Sequence, residues 1–182
     1  AKAAAGDLSI GTLSTSTADL QAGNDLTLTT ATTSGEILAT AGRNAVLGTL
    51  TSTGDRVKVD TMGTLTATTV KAAKMVDLSG RTGLTATTLT STSANIDVDS
   101  VAGSVNVKTA NAITSFAARS YGAMTIGTFG VTAGYASLVS GGMMNLTTGT
   151  TTGDMTLRTD GTMGNAVSDS TTQMALGTLT TS

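Results

Sequence analysis

An all-β fold, a parallel β-helix solenoid of about nine coils, is what this sequence predicts, and three observations predict it. A glycine recurs every 17 to 21 residues, at Gly6, Gly23, Gly42, Gly63, Gly83, Gly103, Gly122, Gly142 and Gly161. Short apolar–polar alternations recur with it, such as Leu26-Thr27-Leu28 and Val105-Asn106-Val107, and alternation is the period of a half-buried strand. Thr (41), Gly (22) and Ser (17) supply about 44% of the 182 residues, and proline is absent.

Each coil follows one plan. A glycine turn opens it, where a residue without Cβ tolerates positive φ at little steric cost. A short strand comes two to five residues later, as Leu8/Ile10, Leu26/Leu28, Met124/Ile126 or Met144/Leu146. A second apolar position follows at mid-unit, as Leu13, Leu50, Val70, Leu89 or Phe129. A third pair closes the coil, as Ile37, Val57/Val59, Val76/Leu78, Ile96/Val98, Met155/Leu157 or Met174/Leu176. Three short strands in roughly 19–20 residues leave too little chain for hairpins, and one unit cannot bury its own apolar face. Stacking units on one another does, with each strand pairing to its equivalent in the coils above and below. Phe116 and Tyr135 each lie 13 residues after their glycine, so they are expected to stack in adjacent coils, in one column with Ile96, Met155 and Met174. The missing proline fits, because it would remove a ladder N–H from an interior strand.

Composition removes most chemistry. Without Cys there is no disulfide framework or thiolate nucleophile, and without His there is no Ser-His-Asp triad or imidazole metal site. No cofactor is expected. A net charge of −2 with 12% charged residues gives no lead toward nucleic acid, and no apolar run approaches the roughly 20 residues of a membrane span. A disordered linker is excluded by 39% hydrophobic content in regular spacing. No signal peptide opens the chain and neither end carries a cap, so residues 1–182 read as one repeat segment of a longer rod.

The repeats Ala22-Gly23-Asn24-Asp25-Leu26-Thr27-Leu28-Thr29, Ser93-Ala94-Asn95-Ile96-Asp97-Val98 and Ala102-Gly103-Ser104-Val105-Asn106-Val107 resemble the haemagglutinin repeats of filamentous-haemagglutinin-type exoproteins. These are Gram-negative surface proteins of the two-partner secretion pathway, and they include adhesins and contact-dependent growth-inhibition exoproteins. The resemblance covers all nine units. It implies a right-handed β-helix at the cell surface, exported by an outer-membrane secretion partner. Such a stalk holds an adhesive or toxic module toward receptors or glycans on host or neighbouring cells. The family's amino-terminal secretion domain carries Asn-Pro motifs, which a chain without proline cannot contain.

Candidate sites are few, and a non-enzymatic stalk is the expectation. The carboxylates Asp97 and Asp99 are the candidates for a carbohydrate-active solenoid enzyme, which needs paired acids close to one sugar bond; the plain alternative is solvated strand residues. Arg56, Lys58, Lys71, Lys74 and Arg81 fall within two coils and are candidates for a polyanion contact, but Asp55, Asp60 and Asp77 are interleaved. Threonines flank the mid-unit apolar positions, as Thr12/Ser14, Thr49/Thr51 and Thr88/Thr90. An ice-binding array would look like this, but it is expected to break where Lys71 follows Val70 and Gly130 follows Phe129. Asn145-Leu146-Thr147 fits a glycosylation sequon, and no calcium-binding nonapeptide or phosphate loop is present.

Overall fold

The structure is a computed structural model describing residues 1–159 and 174–181. It is all-β, and its eighteen strands fall into two parallel sheets of nine, wound in about eight turns. Short strands form one sheet: β1 (Lys2–Ala3), β3 (Ala18–Ala22), β5 (Ile37–Ala41), β7 (Val57–Thr61), β9 (Val76–Gly80), β11 (Asn95–Ser100), β13 (Ser115–Ser120), β15 (Tyr135–Ser140) and β17 (Met155–Thr159). Long strands form the other: β2 (Leu8–Thr15), β4 (Leu26–Thr33), β6 (Ala45–Ser52), β8 (Thr64–Ala72), β10 (Gly83–Ser91), β12 (Val105–Ala112), β14 (Met124–Val131), β16 (Met144–Thr151) and β18 (Met174–Thr181). Each strand pairs with its equivalent one coil away, as β4 does with β2 and β6.

The coil therefore has two strands rather than the three short ones expected. The first two apolar segments of each unit join in one bent strand. In β4 the inward residues are Leu26 and Leu28, then Ala31 and Thr33. Strict alternation would put Thr30 inside. Instead Thr29 drops out of the pairing with β6, Thr30 stays outward, and the inward phase shifts by one residue. The phase shift looks like a strand boundary in sequence, but hydrogen bonding carries straight across it.

The core is a thin stack of columns between the sheets. One column runs Ala18, Ile37, Val57, Val76, Ile96, Phe116, Ala136 and Met155. Side-chain sizes compensate from coil to coil. Phe129 stands between Ala110 and Gly149 in the next column, and a Cβ on Gly149 would collide with the Phe129 ring. Phe116 contacts Phe129 across the core, with ring centroids 5.5 Å apart and planes at 46°, a tilted arrangement that aromatic pairs favour.

Two expected members of the Phe116 column lie elsewhere. Tyr135 pairs with Ser115, and Ala136 is the residue stacked on Phe116. Ala112 and Val131 are 19 residues apart, whereas Phe116 and Ala136 are 20 apart. The intervening corner thus gains one residue, and alternation turns Tyr135 outward, where it is 53% exposed. Met174 pairs with Met144 in the long-strand sheet. Fourteen residues separate β17 from β18, against two to four at the other corners leading into a long strand, so counting from Gly161 carries no register.

Seven of the nine repeat glycines stand at the expected corner, Gly83 opens β10 beside it, and Gly161 lies outside the described residues. At six of those seven corners, Gly6 being the exception, the glycine allows close approach between coils. A Cβ on Gly42 would run into the carbonyl oxygen of Gly23, and one on Gly103 into that of Thr82. Neither residue has positive φ. Several hydroxyls face inward. Ser52 donates to the Gly35 carbonyl at 2.5 Å, and Ser140 to the Gly122 and Gly142 carbonyls, each at 2.9 Å. They satisfy turn carbonyls that the ladders leave open.

Candidate functional site

The short-strand sheet carries the acidic candidates on its outer face. Asp97 in β11 pairs with Asp77 in β9 and Ala117 in β13, while Asp99 pairs with Ser79 and Arg119. Both are partly buried rather than fully solvated. The small side chains of Ala117 and Ser137 leave a depression of about 210 Å³, bordered by Asp77, Asp97, Asp99 and Arg119. Burial raises the Asp97 pKa above the ordinary carboxylate range; Asn95 opposes the shift with a hydrogen bond of 2.6 Å, and Asp77 adds to it. Asp77 is itself engaged by Lys58 at 2.8 Å, and that contact raises the Lys58 pKa. Among the described residues, no group of three or more acidic side chains is arranged to hold a metal ion.

The five basic candidates do not form one patch. Three are engaged by an acid in a neighbouring coil: Lys58 by Asp77, Arg56 by Glu36 at 3.1 Å, and Lys74 by Asp55 at 3.3 Å. Lys71 projects from the outer face of the long-strand sheet, and Arg81 stands at the corner after β9. Exposed ion pairs of this kind contribute about 0–1 kcal/mol each. Asn145 of the sequon is outward and exposed in β16.

The most regular feature outside the core is one that sequence counting broke up. Thr12, Thr30, Thr49, Thr69, Thr88, Thr109, Thr128, Thr148 and Thr178 pair in an unbroken column on the outer face of the long-strand sheet. The column two residues further on is interrupted by Lys71, Asn111 and Gly130. Those interruptions belong to that second column alone. The signal that finds the first one is the residue immediately before each mid-unit core position.

Two sheets wound from one repeating coil define the chain as a parallel β-solenoid. No protein-family model, no curated protein and no solved structure matches it.

Proposed function

We propose that this chain is a structural stalk: a repeat segment of a secreted Gram-negative surface exoprotein of the haemagglutinin-repeat kind, which holds an adhesive or toxic module away from the cell. The observation that supports this reading is uniformity. Coil after coil keeps the same two-strand plan and the same inward columns, while outward residues change freely except in one column. A spacer needs length and stiffness, and nearest-neighbour stacking supplies both without a specialised coil. The charged side chains fit the same reading, because most of the basic candidates pair with acids on adjacent coils. Such a segment is non-enzymatic. The full-length protein leaves the cell through its outer-membrane partner, and any receptor or glycan is met by the module it carries.

Antibodies raised against this chain test the proposal. They are expected to label intact producing cells or their culture supernatant, and the isolated chain is expected to bind no immobilised glycan. Labelling that appears only after lysis overturns the surface stalk; a saturable glycan signal assigns the rod a lectin role instead.

A further inference from the structure

The geometry points to a second role on one lateral face: the outer surface of the long-strand sheet, centred on the threonine column from Thr12 to Thr178, binds ice. This goes beyond the stalk reading and stands or falls independently of it.

The column admits no exception in nine coils, whereas its neighbours do. Val46 and Asn106 stand in the column three residues before it, and Lys71, Asn111 and Gly130 in the column two residues after. Strand propensity alone does not demand threonine, since valine or isoleucine suits the same backbone. Internal hydrogen bonding does not demand it either. Among the described residues, none of the column's hydroxyls bonds to another protein group. What repeats is an outward threonine, exposed or partly exposed, whose hydroxyl makes no hydrogen bond to the protein. A branched Cβ restricts χ1, so each coil has few orientations in which to display its methyl and hydroxyl.

The spacing of this array is set by the fold. Equivalent residues in adjacent strands lie about 4.8 Å apart, and residues i and i+2 along a strand about 6.6 Å apart. Thr30/Thr32, Thr49/Thr51 and Thr88/Thr90 fill both positions of the grid, and its spacing along the unbroken column lies near the shorter oxygen repeat exposed on faces of hexagonal ice. A soluble small ligand calls for a concave pocket with converging polar groups. This face offers the opposite: an extended set of like groups, each a weak contact. A solid whose own surface repeats engages many of them at once. Lys71 is the one charged side chain in the second column, and it divides the grid between Thr51 and Thr90.

Purified chain in a nanolitre osmometer provides the test. The wild type is expected to show thermal hysteresis and faceted crystals. Lys71→Thr, which removes the charge and joins the grid from Thr51 to Thr90, is expected to raise the hysteresis. The pair Thr69→Lys and Thr109→Lys is expected to lower it several-fold. Thr40→Lys, on the outer face of the opposite sheet, is expected to leave it unchanged, with circular dichroism confirming that every variant folds. Absence of hysteresis and crystal shaping in the wild type overturns the assignment, as does an equal loss in Thr40→Lys. A dimer that Thr69→Lys dissociates, without crystal shaping, gives the face to a second copy and likewise overturns it.

Discussion

Phe116 and Tyr135 occupy the same distance from a repeat glycine, yet one is fully buried and the other 53% exposed. Phe116→Ala is expected to cost about 3–5 kcal/mol, and Tyr135→Ser less than about 0.5 kcal/mol, by urea denaturation. Buried hydroxyls give a second contrast. Ser100 Oγ is buried with no partner, whereas Ser140 donates to two turn carbonyls. Ser140→Ala is therefore expected to destabilise by about 1 kcal/mol, and Ser100→Ala to be neutral or stabilising by a similar amount. Asp97 has a folded-state pKa raised chiefly by burial. A raised carboxyl pKa means that its stabilising influence is full below the unfolded pKa and lost as pH rises through the folded value. Asp97→Asn should then raise the melting temperature at pH 7, and the gain should vanish on acidification below the ordinary carboxylate range. Thermal melts across pH check this.

At the scale of the strand, interior pairing dominates. β10 is hydrogen-bonded on both sides, to β8 and to β12. Thr85→Pro, on the outer face of β10, leaves the core side chains in place but removes a ladder N–H, at an expected cost of about 3 kcal/mol or more. Equilibrium unfolding against Thr85→Ser measures it. The bent long strand is the element hardest to read from residues alone. The inward phase change between Leu28 and Ala31 looks like a boundary. A local bend and a strand end demand the same pattern of side chains, and only the continuing hydrogen bonds distinguish them.

At the scale of the whole molecule, the described residues form a stack, with nine strands per sheet spanning about 38 Å at the usual strand separation. Each coil contacts only its neighbours, so removing one in register should leave a shorter folded rod. Ala86 and Val107 are register partners 21 residues apart. Deleting 87–107 joins Ala86 to Lys108 and preserves every column. Deleting 87–106 leaves one extra residue inside the strand and sets the following side chains out of phase. Circular dichroism and small-angle scattering should find the first variant folded and shorter, and the second markedly less stable.

The period and most core columns were legible in the sequence, because a rod held together by nearest-neighbour stacking must repeat its inward residues at fixed intervals. Leu26, Val57 and Ile96 are buried where alternation puts them. The tertiary structure alone decided which way residues near a corner face. Corners differ in length by a residue or two, and one residue reverses a strand's parity, so the fate of Tyr135 depends on what it pairs with in the next coil. Counting from Gly122 cannot supply that. The threonine column is marked in the sequence by the residue before each mid-unit core position, but the pairing of Thr69 with Thr49 and Thr88 is what makes it continuous beside the interrupted column of Lys71.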